Sequence, residues 1–224
     1  MSSDTGDSGG TPDSTRLQIL STEHWSLLAS RALAWNESFR RAGMFLSTLS
    51  GATAALALAA QASSFGPTFV WFALAILPVV LYVGIATFVR LAVSNYHDAQ
   101  CVIGMNRIRA AYLEVAPELR RYFVMSPYDD MQGVGVTMGV EPGRSMAVRL
   151  VSATPSVVAV LDSVVAGVIG ALLGHEAGLG VGFTIAAGLA AFARLFGAFM
   201  WYARRYVTRL WASHRPLFPH PDGD

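Results

Sequence analysis

Lysine is absent from this chain, cysteine occurs once, and charged residues make up only 14% of its 224 positions. Each shortage excludes something. A soluble globule needs about a quarter of its residues charged to cover its surface, so the deficit argues against one. The lone Cys101 excludes an internal disulfide and any metal cluster built on thiolates. With no lysine, all sixteen basic residues are Arg and no Gly-rich loop is followed by the lysine that a phosphate-binding loop uses. The Arg residues gather at the ends of apolar runs and form no patch for nucleic acid, and the net charge is only +1. No Ser sits in a nucleophile-elbow context. The chain is expected to have no catalytic residues and no cofactor, and not to be an enzyme.

What is present is apolar. Hydrophobic residues reach 53% and mean hydropathy is +0.44. They fall in long blocks without an amphipathic period, as lipid-facing helices do. Four segments meet the length of about twenty residues that a bilayer core of about 30 Å demands. They run from about Ala42 to Ala62, Thr68 to Val89, Leu150 to Leu173 and Leu179 to Ala203. Phe65-Gly66-Pro67 divides the first pair and the stretch from Gly174 to Gly178 the second, both too short for anything except antiparallel hairpins. The expected fold class is all-α: a polytopic membrane helical bundle with four transmembrane helices in two hairpins, plus cytoplasmic amphipathic helices.

Arg40 and Arg41 precede the first span and Arg90 follows the second; Arg149 precedes the third, and Arg204, Arg205 and Arg209 follow the fourth. Neither hairpin tip carries an Arg. The positive-inside rule then puts these flanks, and both termini, on the cytoplasmic side of the cell inner (plasma) membrane. Residues 1–15 read as a disordered acidic tail and 16–41 as an inner-leaflet amphipathic helix capped by Ser21 or Thr22. The first transmembrane hairpin covers 42–89. A cytoplasmic helical segment covers 90–125, where Pro117 restarts a helix reaching Val124. A cytoplasmic Gly-rich loop covers 126–149, the second transmembrane hairpin 150–203, and a basic, aromatic C-terminal tail 204–224.

The most informative pair is Asp162 and Arg194. A charge near the bilayer centre costs about 2.5–3.5 kcal/mol on insertion scales, so it is expected to face the protein interior and to be paired. Measured from Arg149 and Arg204 at 1.5 Å per residue, the two lie at depths of roughly 20 and 15 Å on neighbouring spans, which makes an intramembrane ion pair geometrically reasonable. Such a pair either locks the hairpin or lines a polar path for ions or protons; the remaining option is that Arg194 snorkels to the headgroups. Ser47, Ser50, Thr53 and Gln61, with Gly51, fall mostly within one broad face of the first span, which packs on another helix or borders a pore. Cys101, Met105, Ile108, Tyr112 and Val115 recur at spacings of four, three, four and three, a helix-contact stripe that serves the chain's own neighbour or self-association. Pro78 and Pro155 are candidate kinks. His97-Asp98, Asp129-Asp130 and His175-Glu176 lack the spacing of a metal site and read as solvated polar surface; no metal is expected.

The stretch Gly104-Met105-Asn106-Arg107-Ile108-Arg109-Ala110-Ala111-Tyr112-Leu113-Glu114, continuing to Pro117-Glu118-Leu119 and Tyr128-Asp129-Asp130, resembles a segment of uncharacterised small four-span membrane proteins of high-GC Gram-positive bacteria. The layout of residues 20–120 is similar to the two-span effector domains of bacterial nucleotide-signalling systems, from which the extra hairpin departs. Neither resemblance implies functional residues.

Two functions are expected from different classes. One is a homo-oligomeric channel or transport-type protein, because four spans enclose little beyond their own side chains. The alternative is a membrane-anchored interaction or regulatory subunit that presents cytoplasmic helices to a cytoplasmic protein partner. The lipid bilayer is a partner in both, and nucleic acid in neither.

Overall fold

The computed structural model describes residues 12–139 and 154–221. The regular structure among them is entirely helical: α1 (Asp13–Ser63), α2 (Pro67–Val115), a 3-10 helix (Pro117–Tyr122), α3 (Met131–Thr137), α4 (Thr154–Glu176) and α5 (Val181–Ser213). Four of them, α1, α2, α4 and α5, are long and apolar enough to cross a membrane. The acidic tail expected over 1–15 falls largely outside the described residues, as do the end of the expected loop and the start of the expected third span, 140–153.

Several boundaries differ from the sequence reading, each for a local reason. The helix expected from Ser21 or Thr22 begins at Asp13 and continues without a break to Ser63. Thr22 sits inside it, its hydroxyl donating to the Gln18 carbonyl at 2.9 Å, so it caps nothing. The segment after Pro117 is a 3-10 helix ending at Tyr122. Part of the Gly-rich loop is helical: Asp130 caps α3 by accepting from the Gly133 N–H at 2.7 Å. Gly133 suits that helix because any side chain would strike the Tyr128 carbonyl oxygen at 2.2 Å. Pro155 lies in the first turn of α4, where a missing N–H is harmless; Pro78 lies within a helix interior, that of α2. The turn between α1 and α2 holds Ser64 and Phe65 at positive φ, with the Gly66 N–H bonded to the Ser63 carbonyl.

The chain divides into two compact units. The first comprises, among described residues, 12–32, 99–139 and 215–221. Within it the start of α1 lies along the end of α2. Leu27 fills the space a side chain at Gly104 would need, the His24 ring stacks on Tyr112 at 6.5 Å, and Arg16 pairs with Glu114 at 2.9 Å.

The second unit comprises 33–98 and 154–214 of the described residues. Its core joins Phe45 of α1, Ala73, Leu77, Val80, Phe88 and Leu91 of α2, Val158, Ala159 and Val165 of α4, and Phe199 of α5. Antiparallel α1 and α2 are tied by Ser38 with Ser94 at 2.8 Å and by Glu37, which accepts from both Arg41 and Arg90. Phe88 meets Phe199 at 4.2 Å and Tyr96 meets Tyr206 at 5.6 Å, so α2 and α5 run parallel there. Helices α4 and α5 approach backbone to backbone. A side chain at Gly188 would meet the Gly167 carbonyl oxygen at 2.9 Å, and one at Gly170 the Ala191 methyl at 2.8 Å. Glycine is required at these positions for proximity and not for φ.

Gly188→Val is expected to lower stability by about 1–3 kcal/mol through overpacking, whereas Gly182→Ala, with nothing within 4 Å of the added methyl, should leave it unchanged or raise it. Thermal unfolding of both variants in one detergent is the check; equal midpoints would contradict the close approach.

Candidate functional site

Two polar clusters interrupt the apolar packing, one in each unit. In the second unit Asp162 is 0% exposed. Neither of its carboxyl oxygens has a hydrogen-bond partner among the described residues. It lies against Gly84 of α2: a methyl added there would come within 2.0 Å of Oδ1, 2.4 Å of Cγ and 2.8 Å of Oδ2. The carboxyl therefore occupies the notch left by the missing side chain. Ser163, the next residue, is equally buried and donates to the Ala159 carbonyl at 2.6 Å; Thr87, one turn along α2 from Gly84, donates to the Val83 carbonyl at 2.8 Å.

The expected ion pair with Arg194 is not formed. Extending the register of Gly167 opposite Gly188, the two residues stand at almost the same level, as the depth argument requires. They point in different directions. Asp162 is five residues before Gly167, about 140° round the helix from the face that meets α5, and it turns toward α2. Arg194 is exposed on α5, with no hydrogen bond or ion pair among the described residues.

The polar face of the first span also differs in its surroundings. Ser47, Ser50, Thr53 and Gln61 are all exposed, and Gly43 and Gly51 have open space where a side chain would go. The Thr53 hydroxyl is satisfied within its own helix, by the Leu49 carbonyl at 2.8 Å. The stripe on α2 is inside the first unit: Cys101, Met105 and Ile108 are buried, Tyr112 and Val115 half-buried. No group of three or more His, Cys, Asp or Glu side chains able to hold a metal occurs among the described residues.

The first unit holds the second cluster, and here Asp129 overturns the reading of solvated surface, since it is 0% exposed. Arg107 reaches its Oδ2 at 2.7 Å, the Leu217 N–H the same oxygen at 3.0 Å, and the Phe218 N–H its Oδ1 at 2.8 Å. The Asp129 N–H returns a bond to the Phe218 carbonyl at 3.1 Å. Asp130 accepts from the His220 N–H at 2.8 Å and lies 3.0 Å from His220 Nδ1, while the His220 ring covers Tyr128 at 4.1 Å. Beneath them Asn106, wholly buried, donates to the Tyr128 carbonyl at 2.6 Å and accepts from Arg109 at 2.7 Å and Thr137 at 2.9 Å. An irregular segment, 217–220, is thus held by two carboxylates through its main chain. Asp98 departs from the solvated reading as well: it is 4% exposed and accepts from the Trp35 indole at 3.2 Å.

Burial pushes the carboxyl of Asp129 up, but the hydrogen bonds from Leu217, Arg107 and Phe218 and the Arg107 charge outweigh it and hold the group below the usual carboxylate range. For Asp130 burial acts the same way, and the His220 and Gly133 N–H groups with the His220 ring outweigh it. In contrast His24 is held down, first by burial and then by the Arg109 charge, which favours a neutral ring over Tyr112.

Neither protein-family models, nor curated proteins, nor solved structures match the chain.

Both carboxyls bind protons more weakly folded than unfolded, so the clamp on 217–220 contributes stability above the ordinary carboxylate range and loses it as pH falls through the folded values. Amide hydrogen exchange at Leu217, Phe218 and His220, measured relative to the unstructured-chain rate at the same pH, is expected to accelerate at acid pH. Asp129→Ala should accelerate it at neutral pH too, at a cost of about 1.5–3 kcal/mol for hydrogen bonds to a charged group. Protection indifferent to both changes would contradict the clamp.

Proposed function

We propose that this is a polytopic protein of the cell inner (plasma) membrane, its four apolar segments forming two hairpins with both termini cytoplasmic, and that it works as a homo-oligomeric channel or transport-type protein. The observation that carries this reading is Asp162. Inside a unit of long apolar helices, a carboxyl that no donor reaches is a cost of several kcal/mol unless something else serves it. A structural polar residue is normally hydrogen-bonded; one left buried and without partners where α4 meets α2 suits a group that receives a mobile cation.

The outer surface of the same unit supports assembly. A single copy in lipid would present the Arg194 charge on α5 and the Ser47, Ser50, Thr53 and Gln61 stripe on α1 to hydrocarbon. A second copy covering either face removes that cost, and the small side chains of the stripe permit close helix approach. The reading as a membrane-anchored regulatory subunit draws on a different feature, the polar cluster around Asn106, Asp129 and Asp130, which would hold the cytoplasmic helices in one shape for a protein partner.

Light scattering in detergent is expected to give a defined homo-oligomer, shifted toward monomer by Arg194→Ala. Reconstituted protein should carry cation flux above that of empty liposomes. A monomer without flux would overturn the transport reading in favour of the regulatory one.

A further inference from the structure

The geometry points to the proton as the cation that Asp162 takes and passes on. This rests on the transport reading and narrows it to one cargo. Metal cations need several oxygen ligands arranged around them; a hard divalent ion takes six or more at about 2.0–2.6 Å. The site of Asp162 offers two oxygens, and both are pressed against the backbone of Gly84 in a notch with no room for a methyl group. The hydroxyl protons of Ser163 and Thr87 are already given to helix carbonyls. Among the described residues Asp162 belongs to no group of three or more His, Cys, Asp or Glu side chains able to hold a metal. A bare proton needs one oxygen and no space.

The charged and titratable groups on the helices packed with α4 do not serve Asp162 in its place. Arg90 of α2 is held by Glu37 of α1, with its Nε at 3.1 Å and Nη2 at 3.3 Å from the two carboxylate oxygens. Tyr82 of α2 is 73% exposed. Arg194 of α5 is exposed as well. On α4 itself, His175 and Glu176 stand at the far end of the helix.

The step is an acid–base exchange. A proton arriving from water forms an O–H bond to one carboxylate oxygen of Asp162. The neutral acid carries it, and the same bond breaks when the proton leaves toward the other side. One positive charge crosses, and nothing is oxidised or reduced. Because Asp162 is fully buried, each exchange requires α2 and α4 to part at Gly84. Gly84 is therefore a positioning residue, and a side chain there would displace the carboxyl from its seat.

The full-length protein, reconstituted in liposomes loaded with a pH-sensitive dye, is driven by a potassium potential set with valinomycin. Sodium flux, and potassium flux in liposomes without valinomycin, are followed in parallel. Acidification is expected in wild type and should be unchanged when choline replaces sodium. In Asp162→Asn, which preserves shape, it should fall to the level of empty liposomes, and Gly84→Ala should reduce it with Asp162 intact. Sodium or potassium flux that depends on Asp162 without proton flux would overturn the proton assignment and leave the transport reading standing. No flux of any cation would overturn both. Infrared spectra cover a variant that fails to assemble: the C=O stretch of a protonated carboxyl is expected in wild type with aspartate carboxyls labelled with carbon-13, sensitive to exchange into heavy water. Absence of that band in wild type at neutral and acid pH overturns the assignment.

Discussion

A polar side chain among long apolar helices has only those helices to satisfy it, and this constraint orders the second unit. Hydroxyls meet it locally. Thr48, Thr53, Thr87 and Ser163 each donate to the carbonyl four residues back, at 2.6–2.9 Å, because their own turn always supplies an acceptor. A carboxylate has no such recourse. It accepts only, and the N–H groups of a helix interior are already committed to their own ladder. Asp162 therefore needs something from outside its helix, and what it meets is the bare backbone of Gly84.

The first unit shows what a carboxylate does when donors are free. Residues 217–220 follow the end of α5 outside any helix, so their N–H groups have no ladder, and Asp129 and Asp130 collect three of them. Arg107 neutralises the charge and Asn106 anchors the loop from below. Two aspartates in one loop and one in a helix thus face opposite conditions, and the difference is the regularity of the neighbouring backbone, not the residue type.

How much of this was legible follows from what helical periodicity carries. The existence of α1, α2, α4 and α5 was readable from apolar length, and the turn at Phe65-Gly66-Pro67 from its residues, but α1 and α2, at 51 and 49 residues, run far beyond their apolar runs. That Asp162 and Arg194 stand at nearly the same level on α4 and α5 was readable too, whereas the depth counted from Arg149 starts outside the described residues. The direction of Asp162 around α4 was not, because counting depth ignores azimuth; the glycines at 167, 170 and 174, spaced three and four apart, mark the α5-facing side, and Asp162 falls off that stripe. The Asp130 cap was visible as an acidic residue three positions before Gly133, and the glycines nevertheless weighted the segment toward loop. Nothing in the sequence links Asp129 to Leu217. An irregular tail has no period, and the pairing spans 88 positions.

That long-range closure has a consequence for biosynthesis. The carboxylates of the clamp are translated well before α4, and their main-chain partners only after α5. Chains emerge at about 5–20 residues per second, so for several seconds Asp129 is a charged group awaiting donors not yet made. All four long helices must be synthesised before the first unit can complete its hydrogen bonding, which makes closure of 217–220 a late event in the life of each newly made molecule.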